Sequence, residues 1–410
     1  MDIKLFTESN NLYGKISING SKSESNRLLI LKALYPNLIL KNLSNSDDTI
    51  LIQKALNNPT NIIDVSHAGT AMRFLTAYYA SKPNSDIILT GSKRMKNRPI
   101  GILVDSLVKI GASIEYLEKD GFPPLRINGK KLLGNFLNIS ASVSSQFITA
   151  LILIAPTTSK GMTINLLDKV TSQPYINMSI SLLKKLGINV EVNNDNKIII
   201  YPKEKISATT ISVESDWSSA SYYYSLVALS NKAEIKLSGF KNSSLQGDSC
   251  LKKIYKKLGV LSIFDRDFLI LKKDSKINLP NEISLNLIDS PDLAQTISVT
   301  CFGLGVDCKL TGLHTLKFKE TDRLIALKNE FIKLGAKVSI TNDSFYLKSS
   351  NQNQNDMIKI STYNDHRMAM SFAPLSLFGP IIIENYKVVS KSYPNFWADL
   401  ESIGFKSIIN

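Results

Sequence analysis

Residues 101–127 read GILVDSLVKIGASIEYLEKDGFPPLRI, an amphipathic helical pattern that ends at Ile110-Gly111 and passes into two alternating runs around a polar Gly turn. A glycine just past a helix supplies the left-handed C-terminal cap. Alternating runs on either side of such a turn predict a β-hairpin. The helix and glycine recur at Leu186-Gly187, Leu258-Gly259, Leu334-Gly335 and Ile403-Gly404, with glycine spacings of 76, 72, 76 and 69 residues. Hairpin patterns follow four of these glycines, as SIEYLEKDGFPPLRI, NVEVNNDNKIIIYP, LSIFDRDFLILK and KVSITNDSFYLK. The fifth, GFKSIIN, has one strand only, and the N-terminal run DIKLF is expected to pair with it. A sixth, degenerate copy is expected at ILIQKALNNPTNIIDV, where Asn57-Asn58 replaces the glycine, since asparagine tolerates the same conformation.

Six α/β units of about 70 residues are too many for one core, and repeats of this size form self-contained packing units. The expected partition is two three-unit domains, with residues 21–214 inserted into a domain made of 1–20 and 215–410.

The 410 residues, 43% hydrophobic and 20% charged, have ordinary globular composition, which excludes collagen, disorder and low-complexity assemblies. Cys250, Cys301 and Cys308 form no CxxC pair. That excludes a disulfide framework or Cys-rich zinc site and points to a reducing compartment. The start MDIKLFTESN lacks the pattern of a signal peptide. The longest apolar stretch, residues 147–156, is about half a membrane span. A soluble, cytoplasmic protein is expected.

A net charge of +14 invites a nucleic-acid reading. The 41 lysines, however, are scattered along the chain beside abundant Asn and Ile, as a biased coding composition would also give. Arginine is used differently. Arg27, Arg73, Arg94, Arg98, Arg323 and Arg367 lie in short Gly/Ser/Thr/Asp/Asn-rich segments, and only Arg126 and Arg266 fall in expected hairpins. Planar, bidentate donors placed this way suit carboxylate or phosphate, and so point to small anionic ligands.

Several helix starts carry cations: Lys22 and Arg27 behind a Ser21/Glu24 capping box, Arg73 behind Gly69-Thr70, Lys319 and Arg323 in KETDR, and His366 and Arg367 behind Asn364-Asp365. A cation there opposes the helix dipole, at about 0.3 to 1 kcal/mol each. Each alone reads as a solvated surface charge, but four together fit anions seated between backbone N–H groups and side chains. Ser144, Ser145 and Gln146 gather donors before an apolar helix, where a plain N-cap would explain one serine. Arg94, Lys96 and Arg98 crowd ahead of Pro99, read as a first-turn proline, in a loop that is either exposed or closed over an anion. Asp289 and Asp292 flank Pro291, as acidic caps or as a base. His67, His314 and His366 are far apart and form no HExxH pattern, and there is no Walker A loop, GxSxG elbow or GxGxxG after a strand. No metal or nucleotide site emerges.

Taken in order, SKSESNR, HAGTAMR, RMKNRPIG, SVSSQF, TSQPY, ESDWSSASYY, DSPDLAQT, KETDR, YNDHRMAM and KSYPNF resemble the signature of the 5-enolpyruvylshikimate-3-phosphate synthase family, nearly end to end. The resemblance implies the inside-out α/β barrel of the enolpyruvyl transferase fold: two similar domains of three βαβαββ units each, joined by crossing segments and closing over the substrates. It implies transfer of the enolpyruvyl group of phosphoenolpyruvate to the 5-hydroxyl of shikimate 3-phosphate, in the shikimate pathway, by a monomer with no cofactor or metal and no nucleic-acid or membrane partner. On the shikimate 3-phosphate side it implies Lys22, Ser23, Arg27, Ser144, Ser145, Gln146, Ser172, Tyr175, Asp292 and Lys319. On the phosphoenolpyruvate side it implies Lys22, Gly69, Arg98, Glu320, Arg323, His366, Arg367 and Lys391. Asp292 is implied as base for the attacking hydroxyl, with Glu320 and Lys22 serving proton transfer at the methylene carbon and the leaving oxygens.

Four positions depart from the family pattern: His67 for the usual Asn, Phe74 where many members have Pro, Gln173 for Lys, and Thr315 for a substrate-binding Asn. Gly69 leaves the room that glyphosate uses in the family, so inhibition by glyphosate is expected, with Phe74 a residue that could reshape that pocket. A sister enolpyruvyl transferase acting on UDP-N-acetylglucosamine generally carries a cysteine in the loop corresponding to RMKNRPIG, and no cysteine precedes Cys250. A non-catalytic binder of anions or RNA would call for aromatic platforms among the lysines, which the arginine clustering does not resemble.

Overall fold

The computed structural model describes residues 1–57, 59–142, 144–193, 196–348 and 358–409. Asn58, part of the degenerate copy, lies outside them. The chain forms two compact units, one of Met1–Gly20 with Glu214–Asn410 and one of Ser21–Val213.

In the unit Ser21–Val213 the helices are α1 (Lys22–Leu34), α2 (Asp47–Asn57), α3 (Gly69–Ser81), α4 (Lys93–Lys96), α5 (Gly101–Lys109), α6 (Ser145–Ile154) and α7 (Gln173–Lys185). Helices α1, α3 and α6 pack on one another and bury nearly their whole circumference. Nine of the ten residues of α6, SQFITALILI, offer no charge or amide, so burial on all sides costs it little. The polar residues of α1 need partners instead: Ser25 Oγ accepts from Ser44 N at 2.9 Å, and Asn26 Oδ1 from Thr49 Oγ1 at 2.8 Å. Helices α5 and α7 are amphipathic, with lysines on the open face.

Two four-stranded sheets in this unit share one plan. Ile62–Asp64 runs parallel to Asp86–Thr90, which pairs antiparallel with Leu125–Asn128 and through it with Ser113–Tyr116. Phe136–Ser140, Met162–Leu167, Lys197–Ile200 and Val190–Val192 repeat it. The third repeat departs from the expected βαβαββ form. Among the described residues its sheet has only the parallel pair Leu38–Lys41 and Thr209–Ser212. The strand after α2 joins the next sheet instead of turning back as a hairpin.

The other unit contains α8 (Trp217–Leu229), α9 (Leu251–Lys256), α10 (Ala294–Leu304), α11 (Arg323–Lys333), α12 (His366–Phe372) and α13 (Phe396–Glu401). Its three sheets all follow the four-stranded plan. In one of them Ile3–Thr7 supplies the missing hairpin strand, pairing Ile3 with Ile409 and Thr7 with Phe405. Inner helices α8, α10 and α12 meet along a buried chain of hydroxyls, in which Ser221 bonds Thr296 at 3.2 Å and Thr296 bonds Ser371 at 3.1 Å. These residues are spaced by 75 positions, the repeat length, so equivalent sites of three repeats face one another.

The five repeat glycines, Gly111, Gly187, Gly259, Gly335 and Gly404, have φ of 103°, 73°, 82°, 79° and 104°. A Cβ on Gly187 would meet nothing within 4 Å, so a substitution there pays only the left-handed conformation, about 1 to 2 kcal/mol. Gly187→Ala is expected to lose about that much in urea unfolding and Gly187→Asn less; an undiminished alanine variant would contradict the capping role.

Candidate active site

In each unit most of the predicted residues gather at helix starts, inner and outer, and backbone N–H groups there have no intrahelical acceptor. The group in each unit is built from that unit's own repeats.

In the unit with both termini, α11 starts at Arg323 behind Asp322, whose carboxylate accepts from Leu324 N and Ile325 N. Helix α12 starts at His366 behind Asp365, which accepts from Arg367 N at 2.9 Å. Asp292 sits in the 3-10 turn Pro291–Leu293 ahead of α10. These starts bring Arg323, 1% exposed, into a cage of carboxylates. Its Nε and Nη2 bond Asp365 at 2.7 and 3.2 Å, Nη1 bonds Asp292 at 2.8 Å, and Nη2 bonds Glu320 at 2.8 Å.

Around this hub lie three further cations. Arg367 donates to Asp292 Oδ2 at 3.2 Å and to Ser218 Oγ at 3.2 Å. Lys319 Nζ lies 3.3 Å from Asp292 Oδ1, and buried Lys391 lies 2.7 Å from Glu320 Oε1. Burial works to raise the Asp292 carboxyl, but Arg367, Lys319 and Arg323 outweigh it and hold it well below the usual range. Burial lowers the Lys319 ammonium, against the pull of Asp292. The three carboxylates raise Arg323 above its ordinary value despite burial. Sequence reasoning put Arg323 on a ligand. The structure engages all three of its nitrogens with carboxylates, so it also orders the three acids around it.

Three residues of this half-site were missed. Asp365 read only as a helix cap, yet it also grips Arg323. Ser218 lies in ESDWSSASYY and receives Arg367. Asp248 donates no signal of its own in QGDSC, but its buried carboxylate accepts from Ser218 Oγ at 2.5 Å. Burial pushes Asp248 up to about 6, with Arg367 opposing.

In the unit Ser21–Val213, Ser21 caps α1 by accepting from Glu24 N, placing Lys22 and Ser23 in the first turn. Ser144 caps α6 and accepts from Gln146 N at 3.3 Å, while Gln146 Nε2 reaches Thr70 of α3 at 3.4 Å. Gly69, Ser144, Ser145 and Gln146 are thereby brought together. Ser172 precedes α7 in the left-handed region, φ 57°, and its carbonyl accepts from Tyr175 N at 3.0 Å.

Arg98 packs on Gly69: a Cβ there would lie 2.6 Å from Nη1. Among the described residues its buried Nε has no hydrogen-bond partner. Arg73, grouped at sequence level with the anion-facing cations, is buried and donates to Gly69 O and Pro99 O at 3.1 and 3.2 Å. It thus ties the start of α3 to the loop bearing Arg98. Pro99 is not a first-turn proline, because α5 begins at Gly101 behind Ile100. Lys96 is paired with Glu118.

Arg27 is 3% exposed, and its nitrogens donate to Ser179 Oγ, Ser23 O, Thr149 Oγ1 and Tyr175 O. Burial lowers it to about 10. One N–H of Nη1 is left over from this set. Phe74 lies buried under this guanidinium, 5.6 Å from centroid to cation, so its role is packing Arg27. Of the other departures, His67 lies 3.4 Å from Asp47, Gln173 bonds Asn177 along its own helix, and Thr315 has a buried hydroxyl in the turn His314–Phe318.

No helix among the described residues is long and apolar enough to cross a membrane. The profile of the EPSP synthase (3-phosphoshikimate 1-carboxyvinyltransferase) family matches residues 41–400. A 3-phosphoshikimate 1-carboxyvinyltransferase of Bacteroides fragilis (strain YCH46) is 43% identical over 404 residues, covering 98% of each chain. One from Buchnera aphidicola subsp. Baizongia pistaciae is 36% identical, covering 95% of this chain and 96% of that one. The EPSP synthase structure from Acinetobacter baumannii superposes with a TM-score of 0.78 at 19% identity over 100% of both chains, a likeness of fold. With its motifs, its repeated α/β units and these relatives in agreement, the chain belongs to the EPSP synthase family.

Proposed function

We propose that this chain transfers the carboxyvinyl group of phosphoenolpyruvate to the 5-hydroxyl of shikimate 3-phosphate, releasing phosphate. Family membership supports the reaction, and the cage around Arg323 is the observation that supports its residue roles. The reaction adds O–H across the C2=C3 bond, then expels phosphate as a C3 proton leaves. It therefore needs a base at the hydroxyl, a proton donor at C3 and cations at the phosphate.

Asp292 serves as the base. Three neighbouring cations keep it ionised and weak as a base in the free protein. Anionic substrates neutralise those cations and strengthen it when it is needed. Glu320, held between Arg323 and Lys391 at 2.8 and 2.7 Å, and Lys22 exchange protons with the methylene carbon and the leaving oxygens. Lys22, Gly69, Arg98, Arg323, His366, Arg367 and Lys391 serve phosphoenolpyruvate, Arg323 by orienting its neighbours. Lys22, Ser23, Arg27, Ser144, Ser145, Gln146, Ser172, Tyr175, Asp292 and Lys319 serve shikimate 3-phosphate, Arg27 through its remaining N–H. Every group named belongs to one chain, which supports a monomer; three cysteines without a CxxC pair support the cytoplasm. The residues 1–20 with 215–410 and 21–214 act as the two domains of the transferase.

Phosphate release with phosphoenolpyruvate and shikimate 3-phosphate tests the reading, with UDP-N-acetylglucosamine as the acceptor that should give none. Asp292→Ala, Glu320→Ala and Lys22→Met, assayed at a temperature where each variant is still folded, should each lose turnover by about 10²-fold or more; near-normal turnover removes that residue from the catalytic set. Gly69→Ala should displace the Arg98 guanidinium, raising KM for phosphoenolpyruvate and weakening glyphosate inhibition together. Unchanged values for both would separate Arg98 from the site.

Asp248 gives a pH test. Its folded pKa of about 6 lies above the ordinary aspartate value of 3.8, so its neutral form is favoured by folding. That contribution is fully present below about 4 and lost as pH rises through about 6. Two units correspond to about 3 kcal/mol. Asp248→Asn should therefore unfold at a higher temperature than wild type at pH 8, with the difference gone near pH 4. A constant difference across this range would refute the shift.

A further inference from the structure

Ahead of the Asp365 cap, two consecutive residues, Tyr363 and Asn364, have φ of 54° and 56°. Neither is glycine, and a bulky residue such as tyrosine enters the left-handed region only when its surroundings impose it. The next three residues are Asp365, His366 and Arg367, so this turn aims one whole corner of the half-site.

The surroundings that impose it centre on Glu330, a fully buried carboxylate of α11. Its Oε1 accepts from Tyr363 Oη at 2.6 Å and its Oε2 from Ser361 N at 3.1 Å. Lys333 Nζ lies 2.6 Å from Oε2. On the far side of the turn Asn385 Nδ2 donates to Asn364 Oδ1 at 2.8 Å, and Asp365 N closes onto Thr362 O at 2.8 Å. Glu330 lies seven residues after Arg323, about two helical turns, and hence on the same face of α11. One helix face therefore holds Asp365 through Arg323 and the turn leading to Asp365 through Glu330.

We propose that Glu330 is a positioning residue for phosphoenolpyruvate binding, holding the Tyr363-Asn364 turn in its left-handed form and thereby fixing His366 and Arg367. The inference rests on the carboxyvinyl-transfer reading and on the place of those two residues in it. Glu330→Gln keeps the size of the side chain but turns an amide N–H₂ toward donors that now find a carboxylate oxygen.

In steady-state assays of the full chain, Glu330→Gln should raise KM for phosphoenolpyruvate about tenfold and leave KM for shikimate 3-phosphate within about twofold, with thermal melting confirming the fold. Adding Asn364→Gly should restore KM for phosphoenolpyruvate, because glycine reaches this φ without steric cost. An unchanged KM for phosphoenolpyruvate, an equal rise for both substrates, or no rescue by glycine overturns the proposal. If Glu330→Gln does not fold, Tyr363→Phe decides it: the same one-sided rise supports the proposal and its absence overturns it. A wild-type chain that releases no phosphate from the two substrates overturns the transfer reading itself, whereas active wild type with unaffected variants overturns only the role of Glu330.

Discussion

A buried guanidinium surrounded by three carboxylates is the constraint on which the half-site of the terminal unit depends. Arg323 joins Asp292, Glu320 and Asp365, which come from separate segments of the chain. Removing one partner of such a buried pair typically costs about 3 to 5 kcal/mol, because the other charge is left uncompensated. The network is therefore stable only when all its members are in place, and that requirement fixes each acid relative to the cations beside it.

This explains how a protein can hold Lys319, Arg323, Arg367 and Lys391 close together. Asp292, Glu320, Asp365 and Asp248 bring four negative groups among four positive ones, apart from His366. Neutrality lets the cations be buried, and burial strengthens each contact between them and the acids. The same balance keeps Asp292 ionised. The inner helix starts of the other unit rely instead on hydroxyl, amide and backbone donors, with Arg98 beside the bare Cα of Gly69.

The repeat architecture supplies the rigid frame. Inner helices buried on all sides begin where the functional residues stand, and Ser221, Thr296 and Ser371 lock three of them at equivalent levels. Hairpins complete every four-stranded sheet. Among the described residues Tyr363 and Asn364 are the one consecutive pair of non-glycine residues with positive φ, and only Asp365 separates them from His366 and Arg367.

Much was legible in the chain itself. Glycine after each amphipathic helix, and alternation after each glycine, specify the hairpins, because both signals are local and depend on backbone sterics and period. The pairing of Ile3–Thr7 with Phe405–Ile409 followed from an unpaired strand at one end and a spare one at the other. Scarce arginines in polar segments marked the neighbourhood of the carboxylate cage around Arg323. What local pattern could not tell was the direction of a guanidinium: Arg27, Arg73, Arg323 and Arg367 share the same sequence context as Arg98, but long-range packing gives the first four protein acceptors, whereas the buried Nε of Arg98 has none among the described residues. Asp248, Ser218 and Glu330 were likewise invisible, since their partners lie 30, 149 and 33 residues away in the chain. The sequence determined which elements form and which segments carry charge; only the tertiary structure decided which charges satisfy one another, because that depends on distances between residues remote in sequence.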